Sequence, residues 1–131
     1  MQIHESSEDY LEAILIIREK QGYVRSVDIS EQLKVSKPSV SYATKRLKNA
    51  KLLSTDKNGM ILFTKEGEKI AKNIYNRHKT LIEFFMSLGV KEEIAKKDAC
   101  KVEHDISEET FDAIKHRLKQ KWLKKYIVIK M

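Results

Sequence analysis

Cys100, Glu103 and His104 fall three and four residues apart in the stretch Cys100-Lys101-Val102-Glu103-His104. On a helix that spacing turns all three toward one face. A thiolate, a carboxylate and an imidazole converging on one patch make a transition-metal site. The same five residues also fit an inert buried thiol beside an exposed Glu–His pair. The pentapeptide by itself leaves both readings open, so the elements that carry it must decide.

The apolar pattern reads as a mainly α chain. A helix from about Lys91 to His104 carries the pentapeptide, and Ser107 with Glu108 and Glu109 opens another through roughly Lys119. Before them, Thr64 caps a long helix reaching about Leu88, with Ile70, Ile74, Leu81, Phe84 and Phe85 as its apolar stripe, and Gly89 stops it. That stripe serves as core or as a dimer seam.

The N-terminal half has a different grammar. After Ser7, Leu11, Ile14, Leu15 and the Ile16–Ile17 pair repeat at helical spacing up to Gly22. Val27, Ile29 and Leu33 mark a short second helix that starts at Ser26 or Asp28, and Lys34-Val35-Ser36 reads as a tight turn. Ser36 caps the next helix, with Pro38 in its first turn and Val40, Ala43 and Leu47 on its buried face. Leu52-Leu53-Ser54-Thr55 and Met60-Ile61-Leu62-Phe63 then flank Asp56-Lys57-Asn58-Gly59, whose Asn-Gly step signals a hairpin. Helix, turn, helix and hairpin together predict a winged helix. The expected organisation is a winged helix-turn-helix DNA-binding domain over 1–64 and, over 65–131, a helical domain that carries the candidate metal-binding patch and the stripe serving as core or dimerisation seam.

Charge agrees with that division. The net charge is +7, and seven basic residues between Lys34 and Lys57 face one acid, Asp56. So concentrated a basic patch suits a polyanion, with nucleic acid the first candidate. With Val40, Ala43 and Leu47 turned inward, Ser36, Lys37, Pro38, Ser39, Ser41, Tyr42 and Lys45 face outward for DNA, and Lys57 on the wing reaches the backbone or minor groove. Tyr42 is the best candidate for a base contact. No apolar run approaches the ~18 residues of a membrane span, no signal-peptide pattern opens the chain, and one Cys excludes an internal disulfide. These features predict a soluble, cytoplasmic protein whose thiol stays available as a ligand.

Taken together, the winged helix, Tyr75-Asn76-Arg77-His78 on the long helix, and Cys100-Lys101-Val102-Glu103-His104-Asp105-Ile106-Ser107 resemble the iron- and manganese-dependent repressors of the diphtheria toxin repressor family. The resemblance covers about residues 5 to 120. It implies a repressor of metal-homeostasis genes in which Mn(II) or Fe(II), one ion or a binuclear pair, promotes binding of a homodimer to a palindromic operator. It also implies two further ligands on the N-terminal helix, where Asp9 and Glu12 stand at matching positions with i, i+3 spacing. The implied ligand set is therefore Asp9, Glu12, His78, Cys100, Glu103 and His104.

Two departures from the family pattern carry information. Asp9 matches the manganese branch, whereas Cys100 replaces that branch's usual Glu and matches the iron branch. The ancillary site of the iron branch loses its Glu and His to Ile82 and Lys96. That branch also carries an SH3-like domain, for which the 131 residues leave no room, and the pattern assigns no placement to the short apolar tail Trp122–Ile129. His4 and His116 read as solvent-exposed bystanders. Two other readings stand beside this one: a winged-helix regulator without metal, and a zinc hydrolase. The pentapeptide differs by one residue from His-x-x-Glu-His, but the difference falls on a metal ligand and no substrate cleft is evident.

Overall fold

The computed structural model describes residues 5–130, with side chains described from Ser6 to Lys121 and at Leu123. Its elements run α1 (Glu5–Gln21), α2 (Ser26–Leu33), α3 (Lys37–Asn49), β1 (Leu53–Thr55), β2 (Ile61–Phe63), α4 (Lys65–Ser87), α5 (Glu92–Val102) and α6 (Glu108–Lys130). The chain divides into two compact units after Ile74, inside α4. No helix among the described residues is long and apolar enough to cross a membrane.

The first unit is a winged helix. In α1 the stripe Leu11, Ile14 and Leu15 is almost wholly buried, as the i, i+3, i+4 spacing predicts. Arg25 caps α2: its backbone N–H donates to Asp28 Oδ2 at 2.9 Å, and its guanidinium grips the same carboxylate. The Arg25 hydrogen bond holds the Asp28 carboxyl below its usual range. Lys34 then takes a left-handed conformation (φ 56°) and ends α2.

Ser36 Oγ accepts the N–H of Ser39 and caps α3, as the Ser-x-Pro start predicts. The inward face of α3 differs from expectation at one position. Val40, Thr44 and Leu47 are buried, and Ala43 is only half-buried. Thr44 can occupy the interior because its hydroxyl donates to Val40 O at 2.9 Å, so nothing polar is left unmet.

The wing pairs Leu53 with Phe63, Ser54 with Leu62 and Thr55 with Ile61 in antiparallel register. The Asn-Gly step marks the hairpin, though its loop is longer than a two-residue turn. Asp56 N–H donates to Met60 O at 3.0 Å, while Asp56 Oδ1 accepts from Asn58 N and Met60 N. Gly59 alone in the loop has positive φ (79°), the arrangement of a turn followed by one left-handed residue. At the base of the wing, Thr64 Oγ1 accepts from Gly67 N and donates to Lys51 O at 2.8 Å. This cap pins the first turn of α4 against the start of β1.

The second unit comprises α4 from Tyr75 onward, α5 and α6, with Leu81, Ala95, Ala99, Phe111 and Leu118 buried. Gly89 (φ 98°) ends α4 in paired bonds, Gly89 N to Met86 O and Val90 N to Phe85 O. α5 stops at Val102, two residues short of the expected His104. Glu103 still donates to Ala99 O at 2.9 Å, but Asp105 N then bonds Val102 O, a tighter turn that carries His104 off the helix. Ser107 Oγ accepts from Thr110 N and opens α6. Residues 122–129 continue α6 beyond the predicted Lys119, and their side chains other than Leu123 lie outside the described residues.

Candidate metal centre and nucleic-acid interface

The second unit brings three of the expected ligands together. His78 sits on α4, and its Nδ1 lies 2.7 Å from Glu103 Oε2. His104, delivered by the tight turn after α5, places Nε2 3.4 Å from Glu103 Oε1. Glu103 is completely buried, and its Oε1 accepts no hydrogen bond among the described residues. A buried carboxylate with an oxygen left unbonded costs free energy unless a cation meets it. One carboxylate flanked by two imidazoles suits a divalent first-row metal. The residues present therefore fit such an ion.

The other expected ligands are described each on its own helix. Cys100, one turn before Glu103 on α5, is exposed. Equal helical spacing predicted equal footing for Cys100 and Glu103. A separation of i, i+3 nonetheless leaves ~60° between them around the axis, enough for one to be buried and the other not. Asp9 and Glu12 lie one turn apart on α1, Asp9 half-buried and Glu12 only 9% exposed. Lys96, in the lost ancillary position, pairs with Glu92 at 3.2 Å. His116 is exposed beside Gln120, and His4 lies outside the described residues.

On the first unit, Ser36, Lys37, Pro38, Ser39, Ser41, Tyr42, Lys45 and Lys57 are all exposed, Tyr42 to 67%. So large an exposed aromatic on the second helix of a helix-turn-helix suits a base contact. The Ser36 hydroxyl is already committed to capping α3. α3 carries Lys37, Lys45, Arg46 and Lys48 and no acid.

One residue escaped the sequence reading as a contact. Arg46 places its guanidinium 5.8 Å from the Tyr42 ring centroid, and it lines a ~200 Å³ cleft with Ser6, Ser7, Tyr10, Ser39 and Tyr42. The signal available in sequence was the Tyr–Arg spacing of four on an acid-free helix. Arg46 lies to the side of the stripe carrying Lys37, Ser41 and Lys45, a placement suited to a flanking phosphate. Arg46→Ala is thus expected to weaken specific and non-specific DNA alike and to lower the salt slope by about 1. Tyr42→Ala should instead cost roughly 1–3 kcal/mol on the specific site only. Salt titrations with both DNAs check the pair.

Comparison with known proteins agrees along the chain. The family described as Iron dependent repressor, N-terminal DNA binding domain, matches residues 2–60, and Iron dependent repressor, metal binding and dimerisation domain, matches 64–123. Transcriptional regulator MntR of Escherichia coli O157:H7 is 39% identical over 108 residues, covering 82% of this chain and 70% of the relative. HTH-type transcriptional regulator MntR of Bacillus subtilis (strain 168) is 36% identical over 109 residues, 83% of this chain and 77% of the relative. Among solved structures, that of the manganese regulator SloR superposes with a TM-score of 0.77 at 28% identity, over 91% of this chain. This chain spans only 55% of that structure's length.

Proposed function

This chain belongs to the iron-dependent repressor family, and on that premise we propose that it represses transcription by binding DNA in response to Mn(II) or Fe(II). The observation that carries the reading is Glu103, buried between two imidazoles with one oxygen unbonded among the described residues. The proposed ligands are Asp9 and Glu12 from α1 and His78, Cys100, Glu103 and His104 from the helical domain, holding one or two ions.

Four of these six side chains are anionic when they ligate. Without metal they repel one another, and a divalent cation relieves that repulsion. Because the ligands come from both domains, bound metal favours one domain arrangement, and DNA affinity follows. His78 and His104 supply neutral imidazole nitrogens, and the ion supplies the positive charge that the buried Glu103 needs.

A homodimer acting on a palindromic operator completes the proposal. The dimerisation domain of the family spans residues 64–123, and Met86, Leu88 and Ile94 offer exposed apolar surface within it. One recognition helix spans only a few base pairs, so two copies on one face of the duplex raise both affinity and specificity. Sedimentation at micromolar concentration should show a dimer. A monomer with and without metal would overturn this part.

Equilibrium dialysis with Mn(II) and with Fe(II) under anaerobic conditions tests the metal reading. Saturable binding of one or two ions per chain is expected, and no binding would leave a winged-helix regulator without metal. Cys100 sets the expected selectivity, because a thiolate favours Fe(II) over Mn(II) relative to a carboxylate. Cys100→Glu should therefore shift the ratio of Fe(II) to Mn(II) activation toward Mn(II). An unchanged ratio would remove Cys100 from the ligand set.

A further inference from the structure

Arg77 is a charged residue that the ligand set leaves without a role, yet it is only 9% exposed. Its Nη1 donates to Glu103 O at 3.2 Å and to Ile106 O at 3.1 Å, and its Nη2 donates to the Glu108 carboxylate. Its guanidinium also lies 5.2 Å from the Phe111 ring centroid. One side chain on α4 thus touches the end of α5, the connecting turn, and the first turns of α6.

The chemistry fits the place. A helix ends with carbonyls that have no partner within the helix, and the turn after α5 is short. A planar guanidinium can serve two such carbonyls from one nitrogen and a carboxylate from another, which a single ammonium on a flexible stem does far less well. The consequence concerns Glu103 directly. Consecutive residues of α4 hold it at both ends, Arg77 by its carbonyl and His78 by its carboxylate.

We propose that Arg77 is the positioning residue of the metal centre: it fixes the backbone of Glu103–Ile106 so that Glu103 and His104 stand ready for the ion before the ion arrives. Arg77 does not touch the metal. It lowers the ordering that binding would otherwise require, in the way that partners of ligands orient them in other metal sites. The exposed Glu108 in turn holds Arg77, its side chain being 64% exposed against 10% for the arginine. The proposal rests on Glu103 and His104 belonging to the ligand set.

Co(II) titration with absorption spectroscopy, at a temperature where every variant is folded by circular dichroism, tests it. The wild-type spectrum comes first. Absence of Co(II) bands there would overturn the ligand set itself, and this inference with it. Given wild-type bands, Arg77→Lys and Arg77→Met are expected to shift them and to weaken Co(II) binding by about 10-fold or more. Glu108→Gln should do the same to a smaller degree. Glu108→Gln removes a surface carboxylate and leaves the packing in place, so it decides the matter if Arg77→Met fails to fold. Wild-type bands and affinity in the folded variants would show that Arg77 supports only the fold, and would overturn the positioning role.

Discussion

Glu103→Gln is expected to abolish the metal response while leaving the apo protein as stable as before, or more so. The substitution keeps the shape of a fully buried side chain and removes its charge. In the metal-free protein that charge is a burden, because Oε1 accepts no hydrogen bond among the described residues. With metal present the same charge is the attraction. Loss of a partner that merely orients a ligand costs 10- to 100-fold in affinity, so loss of the central carboxylate should exceed ~100-fold. Isothermal titration with Mn(II) and thermal melts of the apo protein check both halves. Retained Mn(II) affinity would remove Glu103 from the centre, and a large drop in apo melting temperature would assign it a structural role instead.

The second large effect is expected far from any ligand, at Gly67→Ala. A Cβ there would sit 1.9 Å from Leu52 O, a backbone atom that cannot step aside cheaply. The first turn of α4 is held at that distance by Thr64, whose backbone N–H donates to Leu52 O at 3.1 Å and whose hydroxyl donates to Lys51 O. Separating α4 from β1 breaks these bonds and shifts the base of the wing. The cost should reach ~3 kcal/mol or more, at the upper end for a single substitution, or a fall in melting temperature on the order of 10 °C. Gly59→Ala is the control. It meets no atom within 4 Å and pays only the strain of its positive φ, so its effect should be nearer ~1 kcal/mol. Thermal denaturation of the two variants compares them directly, and an unperturbed melt for Gly67→Ala would contradict the close approach.

The difference between those two glycines shows what a sequence makes legible. Gly59 announced itself through Asn58 and the flanking apolar runs, because turn chemistry is local. Gly67 reads as an ordinary helical residue, since its constraint comes from the Leu52 backbone just before β1, fifteen positions earlier. The same division runs through the site. Ser36, Thr64 and Ser107 were readable as caps because a cap needs only its own next few residues. His78 and Glu103 lie 25 residues apart, a separation at which spacing carries no signal and only resemblance to a family implies the pairing. Arg77 stood in plain view next to His78, but its partners Glu103, Ile106 and Glu108 become visible only once α5 turns into α6. Polarity alone points to Ala43 rather than Thr44 as the buried residue, and a hydroxyl that bonds its own helix escapes that rule.

Metal-dependent DNA binding is the central claim, and fluorescence anisotropy measures it most directly. The probe is a duplex selected from a random-sequence pool with the Mn(II)-loaded protein, titrated at fixed salt with chelator and again with saturating Mn(II). Coupling of ~1–3 kcal/mol between metal and DNA predicts affinity roughly 5- to 150-fold higher with metal. Equal affinity under the two conditions would contradict the account.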